Sequence, residues 1–175
     1  TGMNDIKSIK KAVKILKKNK IDFALMHTTN LYPTPSKLIR LNAINDMRKA
    51  FPDVPLGLSD HTGDNFTSFA AIAMGASLIE KHYVDSHSRK GPDVSCSMDK
   101  NQLKELILAS KYIPLTIPGA KEPIQEEKIT MNFAFASVVA KNHIKKGSLI
   151  SEKNICLKRP GNGDFLSRDF TKLIG

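Results

Sequence analysis

Tryptophan is absent from these 175 residues, cysteine occurs twice, and aromatic side chains make up 6%. No run of about 18 apolar residues exists, so no helix of the chain is expected to span a bilayer. No charged-then-apolar leader with a small-residue cleavage site opens the sequence, which leaves secretion unsupported. Cys96 and Cys156 lie far apart, with no Cys-x-x-Cys pair or Cys/His knuckle around either. A disulfide scaffold is thereby excluded, and both read as reduced thiols of a cytoplasmic protein. Acidic residues are also in short supply: 27 Lys+Arg against 17 Asp+Glu give a net charge of +10. Such a surplus fits nucleic acid or an anionic small molecule. The scarcity of aromatics decides against the first, because a stacking platform needs rings interleaved with the basic residues. Lys7, Lys10, Lys11, Lys14, Lys17 and Lys18 instead form the polar stripe of one helix, opposite Ile6, Ile9, Val13 and Leu16, and read as a solvated face.

What is present is an ordinary globular mixture, 41% hydrophobic and 25% charged. Helical period runs from Asp5 to Asn19, followed by an apolar run from Ile21 to Met26 that ends in His27-Thr28-Thr29-Asn30. After Pro33-Thr34-Pro35, Ser36 is a plausible N-cap for a helix with Leu38, Ile39, Leu41, Ile44 and Met47 inward. A second short strand, Val54 to Leu58, ends in Ser59-Asp60-His61. Asp64 then caps an Ala-rich helix to Gly75. A third strand, Ser77 to Ile79, runs into Glu80-Lys81-His82-Tyr83, and a helix follows from Asp99 to Tyr112. This alternation predicts an α/β fold with a parallel sheet and right-handed crossovers, its strands covered on both faces. The composition changes at Pro114. Residues 1–113 are expected to form the α/β part, 114–132 a Pro/Gly-bearing linker, and 133–175 an incomplete small α+β module. In that module Phe133 to Ala140 is strand-like, Cys156 to Lys158 is extended, and a last helix begins near Ser167.

Each of the three strands carries polar residues at its carboxyl end: Asn30, then Ser59, Asp60 and His61, then His82. Ligands bind at that edge of parallel α/β folds. Alone, His61 could be a turn histidine and His82 a core histidine. On adjacent strand ends, two neutral imidazoles can converge on one divalent ion. Asp93, after Gly91-Pro92, is a carboxylate that could complete or border such a site. Asn30 and Ser59 offer uncharged donors to an anion or, more plainly, cap turns. His87 and His143 have no strand-end position and carry no assignment.

The strings His27-Thr-Thr-Asn-Leu-Tyr-Pro-Thr-Pro35, Gly57-Leu-Ser-Asp-His-Thr62, Glu80-Lys-His-Tyr83, Gly91-Pro-Asp93 and Lys158-Arg-Pro-Gly-Asn-Gly-Asp-Phe165 together resemble the bacterial sialic acid synthase family. Phe133-Ala-Phe-Ala-Ser-Val-Val139 resembles the start of that family's antifreeze-like (SAF) domain. The resemblance implies the last three strand–helix units of a (β/α)8 TIM barrel followed by a partial SAF domain. The chain would then begin at the end of the fifth strand and stop midway through the SAF domain, as an inactive fragment of an enzyme. It further implies metal-dependent condensation of phosphoenolpyruvate with N-acetylmannosamine to N-acetylneuraminate and phosphate. His61 and His82 would hold Mn²⁺ or Mg²⁺, Asn30 and Ser59 would bind the phosphate, and Tyr32 and Asp93 would surround the sugar. Arg159 would reach the partner's site in a domain-swapped homodimer, with no part for nucleic acid or membrane. Two departures stand out: Thr28 where the family often has Cys, and Tyr83 where it has Phe. Legionaminate and pseudaminate synthases share the barrel strings, so either sugar is an alternative, as is a non-catalytic module that holds an anion.

Overall fold

A computed structural model describes residues 1–175, which divide into two compact units, Thr1–Gly119 and Ala120–Gly175. The first opens with α1 (Ile6–Lys18). Asp5 caps it by accepting the Ser8 amide at 2.7 Å, a bond that satisfies one of the free amides of the first turn. Ile9 and Val13 are buried while every lysine of the stripe is exposed, so that face is solvated. Then come β1 (Leu25–Thr28), α2 (Ala43–Ala50), β2 (Leu56–Asp60), α3 (Phe66–Ala73), β3 (Leu78–Lys81) and α4 (Lys100–Thr116). The three strands form one parallel sheet in the order β1-β2-β3. Thr28 stands opposite Ser59, Ser59 opposite Glu80, and Asp60 opposite Lys81.

Side chains alternate across a strand, so the register sorts the sheet into two faces. Leu56, Leu58 and Asp60 point one way; Gly57, Ser59 and then His61 point the other. The first face meets the helices: Leu56 and Leu58 join Ile9, Val13, Ile44, Met47, Phe51, Val54 and Ala71 in one core cluster. Burying one such Leu contributes about 1.5–3 kcal/mol. Gly57 marks a close approach, because a Cβ there would stand 2.5 Å from the Leu78 carbonyl oxygen. Only β2 is buried along its whole length; β3 alternates exposed and half-buried residues, so the expectation of strands covered on both faces holds for the middle strand alone.

Each observed strand lies nearer its polar end than the apolar runs suggest, because polar residues at the carboxyl ends find partners and continue the ladder. The helix expected from Ser36 is broken. A 3-10 turn covers Ser36–Leu38, Arg40 adopts a left-handed φ of 55°, and α2 starts at Ala43. The carbonyls a continuous helix would use are taken by side chains of β1 and the residue after it: Thr29 Oγ1 donates to Leu38 at 2.9 Å and His27 Nε2 to Ile39 at 2.7 Å. The N-cap of α3 is Asn65 and not the expected Asp64, which stands one residue earlier and accepts the Phe66 amide at 3.0 Å.

The linker expected over 114–132 differs most from the structure. Proline's φ suits a helix, and Pro114 lies in the last turn of α4, which continues to Thr116. The second unit opens with a helical turn at Gln125–Glu127 and α5 (Lys128–Ala134), so Phe133 is helical where an extended segment was expected. β4 (Ser137–Ala140) and β5 (Ile155–Lys158) pair antiparallel, and a 3-10 segment covers Ser167–Leu173. Both cysteines are free thiols; burial pushes the Cys96 thiol above its ordinary pKa. No helix is long and apolar enough to cross a membrane.

Candidate active site

The carboxyl edge of the sheet gathers Tyr32, Ser59, His61, Glu80, His82 and Asp93. The His61 and His82 rings meet nearly edge to face, centroids 5.4 Å apart. Tyr32 completes a triangle of rings, 4.1 Å from His61 and 5.7 Å from His82. His61 is buried, and its Nδ1 lies 3.0 Å from the Thr29 carbonyl oxygen. A carbonyl can only accept, so Nδ1 carries a proton, and in the neutral ring Nε2 is the nitrogen that presents a lone pair. That nitrogen faces Ser59 Oγ at 3.5 Å. Ser59 Oγ donates to Glu80 Oε1 at 2.7 Å, which commits its single proton to the carboxylate. An open hollow of about 300 Å³ lies between Ser59, Glu80, Lys81 and His82.

Asp93 reaches the same edge by a loop. Beyond β3, Val84 donates its amide to the Met98 carbonyl and Met98 its amide to the His82 carbonyl, so the excursion is closed at its base. Asp93 then sits with Oδ2 3.9 Å from His82 Nδ1. Its φ is +62°, a left-handed conformation that Asp tolerates better than most residues. Its carbonyl accepts from Ser97 Oγ at 2.8 Å, which holds the turn. Asn30 is exposed just past β1, and a Cβ at Gly2 would overlap its Oδ1. Arg159 belongs to the second unit, exposed at the end of β5. Its loop is tied down: Ser137 Oγ donates to the Pro160 carbonyl at 2.7 Å and accepts the Gly163 amide at 2.9 Å. Gly161 and Gly163 are needed there, since a Cβ would meet Phe135 Cβ at 2.6 Å and Ser137 Cβ at 2.9 Å respectively. His87 lies beside Gln102 and Asp99, away from these rings, and His143 is exposed in the second unit.

Sequence reasoning passed over Glu80, and over Asp60 and Lys81 as partners of each other. The signal for Glu80 was its spacing: it precedes His82 by two residues, as Ser59 precedes His61, and so shares their face. Behind the site, burial holds His27 below its ordinary pKa while its Nε2 donates to Ile39. No cluster of three or more His, Cys, Asp or Glu side chains is arranged to hold a metal. The donors suit a cation that takes two imidazoles and fills its remaining positions with oxygen, better than zinc, whose catalytic sites use three protein ligands. Two larger hollows, of about 520 and 530 Å³, flank β3 and β1, and neither includes His61 or His82.

A parallel α/β unit with an imidazole pair at the carboxyl edge of its strands defines the class by architecture. Residues 1–119 match the NeuB family, and the chain belongs to it. It is 36% identical to an N,N'-diacetyllegionaminic acid synthase of Campylobacter jejuni over 183 residues, covering 98% of this chain and 54% of that protein. It is 27% identical to the human N-acetylneuraminate-9-phosphate synthase, covering 100% of this chain and 49% of that protein. The crystal structure of an N-acetylneuraminic acid synthetase from Leptospira borgpetersenii, in complex with citrate, superposes with a TM-score of 0.67 at 30% identity, over 74% of this chain and 46% of that one. The chain thus spans about half the length of the curated relatives it matches.

Proposed function

We propose that the chain is the carboxyl half of a nonulosonic acid synthase. It would supply the last three units of a (β/α)8 barrel and, over 133–175, the start of an SAF domain. The observation that carries this reading is the His61–His82 pair at the strand edge, in a chain that belongs to the NeuB family. The reaction joins C3 of phosphoenolpyruvate to the aldehyde carbon of an open-chain N-acetylated sugar. Water then adds at C2, and phosphate leaves with cleavage of its C–O bond. A divalent cation held by His61 and His82, Mn²⁺ or Mg²⁺, would supply a Lewis acid for the aldehyde oxygen.

This chain's own residues do the rest of the work at this edge. The Thr29 carbonyl fixes the His61 tautomer. The Asn30 amide donates to the phosphate. Ser59 does the same once its hydroxyl turns from Glu80, so phosphate binding and the freeing of the Glu80 carboxylate are linked. Tyr32 and Asp93 line the sugar, the carboxylate accepting hydroxyl protons. In a homodimer, Arg159 of one subunit reaches the sugar's N-acetyl region in the other subunit's site. Mixing full-length Arg159→Ala and His61→Ala proteins tests that arrangement: activity returns in mixed dimers if Arg159 acts in trans, and no recovery removes it.

N-acetylmannosamine is the proposed sugar and N-acetylneuraminate the product. The 36% identity to a legionaminic acid synthase favours a di-N-acetylated sugar as the second reading. Assaying the full-length protein with phosphoenolpyruvate, Mn²⁺ and each sugar in turn separates them by kcat/KM. Failure to release phosphate with either would leave a module that holds an anion without chemistry.

A further inference from the structure

We infer that the buried Asp60–Lys81 ion pair positions the two histidines, an inference that rests on reading His61 and His82 as metal ligands. The pair faces away from the site. Lys81 Nζ lies 3.1 Å from Asp60 Oδ2, with side chains 0% and 1% exposed. Asp60 also accepts from Ser68 Oγ at 2.6 Å and from the Thr62 amide and hydroxyl, each at 2.8 Å. Lys81 donates in turn to the Thr62 carbonyl at 2.7 Å. His61 is therefore bracketed by Asp60 and Thr62, both tied to the residue that immediately precedes His82.

Stability alone does not call for charges here. Asp60 continues the buried stripe of Leu56 and Leu58, and apolar replacements of buried ion pairs are often neutral or stabilising. Apolar contact is non-directional, however, and would let the strand ends slide or roll. A cation with three bonds to Asp60 and Thr62 fixes the relative height and twist of β2 and β3 where the histidines leave the sheet. Alignment of first ligands by groups behind them is worth about 10–100-fold in metal affinity in known sites.

The test uses the full-length protein, with Mn²⁺ as the probe. In the double variant Asp60→Leu/Lys81→Met no charge is left unpaired, so folding is kept. The Mn²⁺ dissociation constant should rise at least tenfold and the spin-echo signature of imidazole nitrogen on Mn²⁺ should weaken or vanish. The kcat should fall while the KM for phosphoenolpyruvate holds. Ser68→Ala, which removes one bond to Asp60, should show a smaller change of about fivefold. A purely structural pair would lower the melting temperature and leave affinity and spectrum unchanged. Wild-type affinity and spectrum in both variants overturn the inference, and if the double variant does not fold, Ser68→Ala decides in the same way. No imidazole signature in the unmutated protein would instead overturn the metal reading, and the inference with it.

Discussion

The two faces of the three-stranded sheet carry similar chemistry under opposite conditions. Toward the helices, Asp60 and Lys81 are buried and every hydrogen-bonding position is used. Toward the open edge, Ser59, Glu80, His61 and His82 stand one residue away in register; Ser59 holds Glu80 at 2.7 Å, but His61 Nε2 meets Ser59 only at 3.5 Å and His82 is partly exposed. Charges that must be paired to be tolerated hold the fold, and charges left with spare valence are free to meet a ligand. One strand supplies both through its two-residue period.

The sharpest way to break the comparison is to remove an imidazole from the open face. His82→Ala in the full-length protein should abolish turnover while leaving the melting temperature within a few degrees, since the side chain is 36% exposed. Normal Mn²⁺-dependent activity in that variant would remove the metal assignment. The next contrast sets the faces against each other. Asp60→Ala leaves Lys81 buried without a counter-charge and should cost about 3–5 kcal/mol of stability. Glu80→Gln, on the exposed face, should change stability by no more than about 0.5 kcal/mol yet alter turnover. Denaturant unfolding of both variants decides, and equal losses would mean the faces are not energetically distinct. A smaller effect is expected at Asn30: one hydrogen bond to a charged phosphate is worth about 1.5–3 kcal/mol. Steady-state kinetics of Asn30→Ala should show the loss in the phosphoenolpyruvate parameters, and a defect confined to the sugar would contradict the role.

Much of this was legible in the sequence, for a physical reason. Alternating apolar runs and amphipathic stretches dictate strand–helix units, and α1, with its lysine stripe, was readable almost to the residue, though its Asp5 cap was not. The histidines were found because a polar string after an apolar run marks a strand's carboxyl end. What stayed hidden depends on contacts distant in sequence. Thr29 and His27 capturing the Leu38 and Ile39 carbonyls, which splits the expected helix, is invisible to periodicity. Asp60–Lys81 is equally invisible until β2 and β3 are placed in register. Pro114 misled in the other direction: proline has no amide to donate within the helix, yet α4 runs on past it to Thr116. Tyr32, Ser59, His61, His82 and Asp93, named by type and place, stand together at the strand edge, while the bonds that orient them were not legible.

The smallest expected effect concerns a third carboxylate, Asp99, which refines the contrast by being held without any cation in its capping bonds. It caps α4 by accepting the amides of Gln102 at 2.9 Å and Asn101 at 2.8 Å, while the Gln102 side chain accepts the Asp99 amide in return. Those amide bonds, the one from Gln102 foremost, hold its carboxyl below the usual carboxylate range. A carboxyl whose pKa is depressed on folding contributes stability above its unfolded pKa, and that contribution is lost as pH falls through the folded value. The part of the stability that Asp99 supplies should therefore be level from neutral pH down to the ordinary carboxylate range and decline below it. Asp99→Ala should lower stability at neutral pH and flatten part of that acid decline, whereas Asp99→Asn should keep part of the cap and lose the pH dependence. Urea midpoints of the three proteins across the acid range check this. Parallel curves for the parent and Asp99→Asn would show that the carboxylate charge plays no part in holding the helix that follows the His82 loop.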